Sequence, residues 1–381
     1  MKKVLLIGVL VFFWLLAQAQ APHLFEHTYP VVYQEDIRIR QRMDQVSKDS
    51  LEATIEHMQS YQNRLWNTPM VYQVQDWLYG KYVGMGFDTV YLHDFQFILN
   101  DTIRETSDNV IAIQRGVRYP DEYVVIGAHY DSYNNTPGHP DSLRAPGADD
   151  NASGVAGVME IARLLKPCIF DRSIVYCSWA AEEVGLKGSE AFAKDCAARL
   201  VDIVGYFNLD MIGYLEEGSD IHVHLLYTPQ DSTIANYVYN LSHVYFPEMP
   251  IHQNWLPGGD SDYSTSDVLG VSVNNMDQAK RFTELNLGLV ATLAGLIPSS
   301  VDDMTDDGWS VYPNPTSGML IVKGLPERNV SVYNLMGQQV ISQAITVEEC
   351  EIDVSALVPG IYFLRVLSED KRFFTKKFVK L

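Results

Sequence analysis

The chain has 381 residues, which is enough for two or three domains. Its content of 47% apolar and 20% charged residues is that of an ordinary globular protein and excludes a disordered chain, a collagen and a polytopic membrane protein. The formal net charge of −20 at pH 7 would repel nucleic acid and anionic lipid, so we expect no nucleic-acid partner.

The N-terminus has the three parts of a secretory signal peptide. Two lysines follow Met1, residues 4–16 form an apolar run, and AQA at 17–19 is a small-x-small cleavage site. An apolar run of 13 residues is short for a hydrocarbon core about 30 Å thick. We therefore assign 1–19 to a signal peptide and expect no transmembrane anchor in the mature chain.

Strands and helices alternate from the signal peptide to about residue 297. A helical stretch over 50–86, broken at Pro69, comes first. The patterns that follow predict strands over 90–99, 109–114, 122–128, 173–179, 203–209, 221–226 and 268–273, and helices over 152–165, 186–198, 231–245 and 282–297. This alternation predicts an α/β domain at 20–297, with a largely parallel sheet flanked by helices on both faces.

The C-terminal part has a different sequence pattern. A polar, aspartate-rich linker is predicted at 298–307, and residues 308–381 contain short alternating runs separated by turns such as Pro359-Gly360. From residue 307 onward there are eight acidic and eight basic residues, so the first 306 residues carry the whole net charge of −20. This pattern predicts a small all-β sandwich domain, without histidine and without chemistry of its own.

Export would permit disulfide bonds among the four cysteines. None is in a Cys-x-x-Cys pair, so a thiolate zinc site is not predicted. Cys177 falls within an apolar strand and is expected to be a buried thiol. Cys168 precedes that strand and Cys196 ends the next helix, so a Cys168–Cys196 disulfide is one hypothesis and free thiols are the other.

Histidine and acidic residues stand where strands of the α/β domain end. His129 ends the strand at 122–128, Asp150 leads into the helix at 152, Glu182 and Glu183 follow the strand at 173–179, and Asp210 follows the strand at 203–209. Ligands of open α/β sheets bind outside the carboxyl ends of the strands, so we expect these side chains to meet. Carboxylates gathered there need a cation, and oxygen and imidazole ligands suit zinc, or less often manganese or cobalt.

Four motifs carry a family resemblance: GAHYDS at 127–132, PGADDNASG at 146–154, AAEEVGLKGS at 180–189 and NLDMIGY at 208–214. They resemble metallopeptidase family 28, the secreted co-catalytic zinc exopeptidases of the bacterial leucyl aminopeptidase type. The resemblance covers about residues 45–297. It implies that His129 and Asp210 bind one zinc ion, that Asp150 bridges two ions, and that Glu183 binds the other.

The resemblance also implies a peptidase mechanism. Zinc lowers the pKa of bound water from about 15.7 to about 7, and Glu182 would act as general base, taking the water proton and delivering it to the leaving amine. Asp131 would accept the second ring N–H of His129 and fix its tautomer. An acidic site would also attract a free α-ammonium group, which favours an aminopeptidase acting on peptide or protein N-termini.

One part of the family pattern is not found. The family's fifth ligand is a histidine in a Tyr-His-Thr turn before the closing helix, but residues 271–278 run almost directly into that helix. The missing histidine would serve the ion held by Glu183. We therefore predict one tightly bound zinc and one impaired site, with His252 and Asp277 as candidate substitutes. The plainer interpretation makes His252 a loop residue and Asp277 a helix cap.

Two neighbouring histidines, His222 and His224, alternate on one predicted strand. We interpret them as structural rather than catalytic.

A second resemblance covers 308–381. The segments VYPNPTSGMLIVKG at 311–324, VYNLMGQQV at 332–340, DVSALVPGIYFLRV at 353–366 and FTKKFVKL at 374–381 resemble the C-terminal sorting domain of the type IX secretion system of Bacteroidetes. The resemblance implies recognition by the type IX secretion machinery, a secreted or cell-surface location, and a domain that is often removed after export. A stalk or a carbohydrate-binding module is the alternative.

Two other functions stay open. One is a glutaminyl cyclase-like enzyme, which shares the fold with a single zinc. The other is a catalytically weakened or silent surface protein, since the fifth ligand is not found. The Glu182-Glu183 pair favours the peptidase.

Overall fold

The structure is a computed structural model. It describes residues 27–99, 103–134, 144–253, 267–297, 310–324, 328–334, 338–345, 349–367 and 373–381. The predicted signal peptide at 1–19 and the predicted linker at 298–307 lie outside the described residues. Within the described residues, no helix has both the length and the apolar character that crossing a membrane requires.

Three helices open the described chain: α1 (Ile37–Met43), α2 (Lys48–Ser60) and α3 (Pro69–Gly84). Pro69 occupies the first turn of α3, where its missing N–H would have no partner within the helix. The predicted helical stretch broken at this proline is confirmed.

A five-stranded sheet forms the centre of the α/β domain, with strand order β1-β2-β5-β3-β6. Its strands are β1 (Thr89–Leu99), β2 (Ile103–Gln114), β3 (Tyr119–His129), β5 (Arg172–Trp179) and β6 (Asp202–Asn208). Strand β3 pairs in parallel with both β5 and β6, whereas β1 and β2 form an antiparallel hairpin that also pairs antiparallel with β5. The predicted α/β class is confirmed, and the hairpin makes the sheet mixed.

Helices pack on both faces of this sheet. Helix α3 covers one face together with α4 (Gly154–Leu165) and α7 (Met276–Ala294), and α5 (Lys187–Ala198) covers the other. The side chains of β3 alternate accordingly, because successive strand residues point to opposite faces. Ile126 joins the large core under α4 and α7, whereas its neighbour Val125 joins the smaller core under α5.

The four cysteines, all within the described residues, form no disulfide. Cys196 of α5 is buried in the smaller core, whereas Cys168 packs against the large core. The hypothesis of a Cys168–Cys196 bridge is therefore wrong, since the two side chains lie on opposite faces of the sheet. Cys177 is buried in β5, as predicted, and burial raises the pKa of its thiol.

Two short sheets complete the domain. Strand β4 (Ile169–Phe170) pairs with β9 (Leu296–Ile297), and β7 (Val223–Leu225) pairs in parallel with β8 (Ile251–Gln253). Helix α6 (Ser232–Tyr245) connects β7 to β8. Strand β8 is not in the sequence prediction, because its three residues are too short to show a period.

The prediction of a strand over 268–273 is wrong. The backbone N–H groups of Val271 and Ser272 both donate to the carbonyl of Val268, and Gly270 has a φ of +86°. The chain therefore turns back here instead of extending, and glycine is the residue that adopts this backbone conformation without strain.

The C-terminal residues form two antiparallel sheets, with strand orders β10-β11-β14 and β13-β12-β15-β16. The strands are β10 (Ser310–Tyr312), β11 (Met319–Lys323), β12 (Arg328–Asn334), β13 (Gln339–Ile345), β14 (Glu349–Asp353), β15 (Gly360–Leu367) and β16 (Phe373–Lys380). Both sheets contribute to one core, in which Leu320 of the first packs with Leu364 and Phe378 of the second. The predicted all-β character is confirmed.

Candidate metal centre

The parallel strands bring the predicted site residues to one edge of the sheet. His129 is the last residue of β3 and lies beside Trp179, the last residue of β5. Glu182 and Glu183 follow β5 within four residues, and Asp210 follows β6 within two. Because β3, β5 and β6 run in the same direction, their carboxyl ends meet at this edge.

His129 is the centre of the cluster. Its Nε2 atom lies 3.0 Å from Asp150 Oδ1, 3.5 Å from Asp210 Oδ1 and 3.8 Å from Glu182 Oε2. Two sets of ligand atoms lie within 4.8 Å of one another: those of His129, Asp150 and Asp210, and those of His129, Glu182 and Glu183. His129 and Asp150 are buried, whereas the side chain of Asp210 is 39% exposed, so solvent reaches the cluster from one side.

Asp131 lies behind this cluster and is fully buried. Its Oδ1 atom is 3.5 Å from His129 Nδ1, and its backbone carbonyl is 3.2 Å from the same nitrogen. The carboxylate also accepts hydrogen bonds from the backbone N–H groups of Glu182, at 3.1 Å, and Glu183, at 3.3 Å. One side chain therefore positions the histidine and both glutamates.

The two glutamates lie in a tight turn between β5 and α5. The carbonyl of Glu182 accepts hydrogen bonds from the N–H groups of Gly185 and Leu186. Asn109 of β2 anchors the turn, because its amide donates to the carbonyl of Gly188 at 2.9 Å and accepts from Ala180 N at 3.0 Å. A Cβ atom at position 188 would lie 2.2 Å from Asn109 Oδ1, so only glycine fits there.

The loop that carries Asp150 is held by a residue that the sequence analysis does not single out, Asp267. Its carboxylate, which is buried, accepts hydrogen bonds from the N–H groups of Asp149, at 2.7 Å, and Asp150, at 3.2 Å. Asn151 ties the same loop to the end of β6 by donating to the carbonyl of Leu209 at 2.9 Å. Position 267 is more than a hundred residues further along the chain, and no local pattern marks it.

Arg64 is a second residue that the sequence analysis does not identify. Its fully buried guanidinium donates to the backbone carbonyl of Met58 in α2 and to those of Tyr130, Pro146 and Gly147, which flank His129 and Asp150. Burial lowers the pKa of Arg64 to about 10, while the surrounding aspartates oppose this effect. The guanidinium therefore places a positive charge behind the acidic cluster and fixes the path of both segments.

A hydrogen-bond chain leads to Asp210. Trp179 Nε1 donates to the hydroxyl of Tyr206 at 2.9 Å, and this hydroxyl donates to Asn208 Oδ1 at 2.8 Å. The amide of Asn208 in turn lies 3.5 Å from Asp210 Oδ2. Tyr206 and Asn208 at the end of β6 therefore help to orient Asp210, the most exposed of the four predicted ligands.

The pKa values of the cluster show how strongly its charges interact. Burial alone would lower the pKa of His129, but Asp210, Asp131 and Asp150 outweigh it and hold that pKa well above its usual range. Burial raises the pKa of Glu182 to about 7, with His129 opposing the shift. Burial and the neighbouring Asp150 also raise the pKa of Glu183. A divalent cation among these oxygens would lower the pKa values of both glutamates.

The residues present fit a zinc ion. The Oε1 atom of Glu183 is buried and accepts no hydrogen bond from the part of the chain that the structure describes. A buried carboxylate oxygen without a partner is costly, and a cation would satisfy it. One imidazole with several carboxylates and no thiolate is also a donor set that zinc accepts.

Neither candidate for the missing fifth ligand joins this cluster. Asp277 forms an ion pair with Lys48 at 3.0 Å, and its side chain is 63% exposed. His252 contacts His222 and His224 instead. Residues 254–266, which follow His252 and Gln253, lie outside the described residues.

Together these features define an α/β domain with a cluster of potential metal ligands at the carboxyl edge of its sheet. Residues 109–286 match peptidase family M28, and residues 310–381 match the secretion system C-terminal sorting domain. The chain therefore carries a peptidase domain of family M28 followed by a secretion-system sorting domain.

Curated relatives agree with this assignment. The chain is 33% identical over 180 residues to aminopeptidase YwaD of Bacillus subtilis, a match that covers 45% of this chain and 35% of that protein. A probable zinc metalloprotease of Pyrenophora teres f. teres is 30% identical over 205 residues, covering 49% of this chain and 42% of that protein. The chain thus spans less than half the length of these curated relatives.

Solved structures show the same fold. The LapA aminopeptidase of Legionella pneumophila has a TM-score of 0.57 at 20% identity, covering 74% of this chain and 80% of that one. The glutaminyl cyclase of Tannerella forsythia has a TM-score of 0.52, also at 20% identity, covering 64% of this chain and 98% of that one. One fold therefore accompanies two chemistries, and the site must decide between them.

Proposed function

We propose that the domain at 20–297 is a zinc-dependent exopeptidase, specifically an aminopeptidase. The observation that carries this proposal is the convergence of His129, Asp150, Glu183 and Asp210 beside a fifth group, Glu182, at one solvent-accessible edge. The family relatives named as aminopeptidases support the same reaction class.

In this proposal the chain's residues have distinct tasks. His129, Asp150 and Asp210 hold one zinc ion, and Glu183 is the ligand available for a second. When bound, zinc supplies Lewis acidity toward a carbonyl oxygen and lowers the pKa of water to about 7. Asp131 orients His129 through the ring nitrogen that faces away from the other ligands.

Glu182 is the proposed general base. Its carboxylate is 25% exposed and lies 3.8 Å from His129 Nε2, so it borders the cluster while reaching solvent. A carboxylate at the border of the cluster can accept a proton from water and return it to a leaving group. Glu182 would take a proton from the attacking water and deliver it to the departing amine.

The charge of the site favours a free N-terminus as substrate. Four carboxylates surround one histidine, and the first 306 residues carry the entire net charge of −20. A substrate α-ammonium is attracted to such a site, whereas a C-terminal carboxylate is repelled. We therefore propose peptide or protein N-termini as substrates.

We further propose that one zinc is bound tightly and that the second site is impaired. Among the described residues, the set around Glu183 contains only His129 and Glu182, and Glu182 is assigned to proton transfer. The first ion would keep three ligands, which is the number that catalytic zinc sites use.

A glutaminyl cyclase-like activity is the second candidate. The similarity in fold to the Tannerella forsythia enzyme favours it, together with a single complete ligand set. The two reactions differ in products, because cyclisation of an N-terminal glutamine releases ammonia and leaves the peptide chain intact.

The sorting domain supports a proposal for location. Residues 310–381 match a secretion system sorting domain. We propose that the type IX machinery recognises this domain after the signal peptide at 1–19 has directed export, so that the peptidase is secreted or held at the cell surface.

The decisive experiment measures release of chromophores from aminoacyl substrates by the purified protein, with and without a chelator. Glu182→Gln should lower kcat by about 100-fold or more, since general-base catalysis contributes about 10²–10⁴-fold. The matched control is Glu217→Gln, which removes an exposed carboxylate that belongs to neither group of ligand atoms. Turnover that Glu182→Gln leaves unchanged would reject the general base. Cyclisation of glutaminyl peptides without cleavage would favour the second candidate, and no turnover of either substrate would favour a silent protein.

A further inference from the structure

Strand β6 lies at one edge of the five-stranded sheet. It pairs with β3 on one side, and no strand of the described residues pairs with it on the other. The segment 268–273, which the sequence pattern predicts as a further strand, turns back and does not extend the sheet. Within the part of the chain that the structure describes, the outer edge of β6 is therefore open.

The hydrogen bonds between β6 and β3 show which backbone groups face outward. The N–H of Leu209, directly after β6, donates to the carbonyl of Gly127 in β3 at 2.9 Å. Successive residues of a strand direct their backbone groups to opposite sides, so Leu209 and every second residue before it face β3. The N–H and carbonyl groups of Asn208 and Tyr206 therefore face away from β3, along the outer edge.

These outward groups are accessible. Tyr206 is 43% exposed, and Asn208 is exposed as well. Their side chains bond to each other and to Trp179, but among the described residues their outward backbone groups have no hydrogen-bond partner. Two donors and two acceptors in a row along an exposed edge are a site to which an extended chain can add as a further strand.

The carboxyl end of this edge is continuous with the candidate metal centre. Asp210 follows Asn208 by two residues, and its side chain is the most exposed of the four predicted ligands. Because β6 is the outermost of the three parallel strands, the cluster opens to solvent on the side of the open edge. A chain that lies along β6 therefore has one end at the cluster.

The other end of the edge is covered. The hydroxyl of Tyr29 donates to the carbonyl of Val204 at 2.9 Å, and Val204 is buried. An added strand would therefore stop near Val204. Since a strand rises about 3.3 Å per residue, the distance from Val204 to Asp210 is about 20 Å, which corresponds to about six extended residues.

We propose that an extended peptide substrate pairs antiparallel with the outer edge of β6. This inference rests on the proposed aminopeptidase function, which requires the N-terminus of the peptide at the metal centre. With its N-terminus beside Asp210, the peptide runs toward Val204, opposite in direction to β6, and exchanges backbone hydrogen bonds with Asn208 and Tyr206. The favoured substrates are therefore extended peptides of about six residues or more rather than dipeptides.

The first test measures kcat/KM of the full mature chain, in the presence of zinc, for peptides of increasing length. Each peptide begins with the residue that the aminoacyl chromophore assay favours and continues with alanines alone. The value of kcat/KM should rise by about 2- to 10-fold for each backbone hydrogen bond gained. It should reach a plateau at about six residues, where Tyr29 ends the open edge.

The second test moves a single N-methyl group along a heptapeptide, from the third residue onward. Only every second residue of an antiparallel strand directs its N–H to a given neighbour. Methylation should therefore lower kcat/KM by about 10-fold at alternate positions, where it removes a hydrogen bond and blocks the approach of the strands. The positions between them are the matched controls and should change little.

A pair of variants tests the edge from the protein side. Tyr206→Pro removes the outward N–H, a change that an edge strand tolerates, and Tyr206→Ala is the matched control because it loses the same phenol but keeps the N–H. Both lose the hydrogen bond to Asn208, so the comparison uses the ratio of heptapeptide to chromophore kcat/KM. This ratio should be about 2- to 10-fold lower in Tyr206→Pro than in Tyr206→Ala.

The outcomes separate this inference from the proposed function. Chromophore turnover without a dependence on peptide length, or without alternation in the N-methyl scan, would overturn the pairing with β6 and leave the aminopeptidase standing. No turnover of any aminoacyl substrate would overturn both. A protein that sediments as a dimer and shows neither effect would place a second copy on this edge instead. The N-methyl scan needs no variant, so it decides alone if Tyr206→Pro does not fold.

Discussion

Asp131→Asn is the most informative single substitution in the candidate metal centre. The change keeps the shape of the side chain but removes its charge and replaces one acceptor oxygen by an amide that only donates. In the present structure both oxygens are used, one accepting from Glu182 N at 3.1 Å and the other from Glu183 N at 3.3 Å. An asparagine can accept only one of these two hydrogen bonds. Its amide NH₂ group would face the other backbone N–H, so that two donors meet.

The cost follows from this geometry. One buried N–H left without an acceptor costs about 1–3 kcal/mol, so the free energy of unfolding should fall by that amount. His129 loses its anionic neighbour at 3.5 Å, and groups behind a metal ligand contribute about 10- to 100-fold to metal affinity. We therefore expect zinc affinity and kcat to fall together by about one to two orders of magnitude.

Zinc affinity would be measured by competition with a chromogenic chelator, and stability by urea unfolding of the metal-free protein. Asp171→Asn is the matched control, because Asp171 lies just before β5, at the opposite edge of the sheet, where it pairs with Arg118 at 3.1 Å. If Asp131→Asn and Asp171→Asn had equal zinc affinity, the assignment of Asp131 as the residue that orients His129 would be refuted.

Three further predictions concern the turn of Glu182, the bound ion and the buried carboxylate of Glu160. Gly188→Ala should distort the turn that carries Glu182 and Glu183 and lower both kcat and zinc affinity, because the added Cβ would lie 2.2 Å from Asn109 Oδ1. Gly185→Ala has more room but a φ of +104°, so it should lower stability with a smaller effect on zinc affinity. A larger loss of zinc affinity in Gly185→Ala than in Gly188→Ala would contradict the packing argument. Removing zinc should lower Tm, since zinc at 100 times its Kd stabilises the folded state by about 2.7 kcal/mol; a calorimetric scan that is identical with and without a chelator would argue against any bound ion. Glu160 should contribute to acid sensitivity. Burial alone would raise its pKa, but hydrogen bonds from Arg163, Ser47 and Ser50 lower that pKa below the usual value of about 4.5. Its stabilising contribution is therefore present above about pH 4.5 and is lost as the pH falls through its folded-state pKa, so wild type should exceed Glu160→Gln in stability at pH 7 and approach it in acid; a constant difference across that range would show that the carboxylate's ionisation is irrelevant.

The sequence alone was sufficient to predict where the residues that end or directly follow strands lie in the fold. Apolar strands such as β3 and β5 have a strong pattern, and a histidine or acid placed directly after such a strand is bound to lie at the carboxyl edge of the sheet. The same reasoning predicts the two-domain organisation, because the period changes from alternating helices and strands to short strands alone near residue 300.

The sequence was insufficient where long-range contacts decide the structure. Asp267 and Arg64 shape the candidate site through backbone groups far along the chain, and neither lies in a motif or a periodic element. The turn at 268–273 was mistaken for a strand because apolar character alone does not distinguish a strand from a buried turn. The contact of His252 with His222 and His224 depends on the register between β7 and β8, which two strands of three residues each do not reveal.

The hold of Asp267 on the loop of Asp150 has a consequence for how the protein matures. The loop of Asp150 gains its two hydrogen bonds to Asp267 only once the chain beyond residue 267 is in place, so a partly synthesised or partly threaded chain should bind an ion less tightly. Because a cation that joins distant segments contributes its binding energy to folding, uptake of metal would report completion of the domain. Chains that stall before residue 267 would therefore take up metal less tightly than the complete domain.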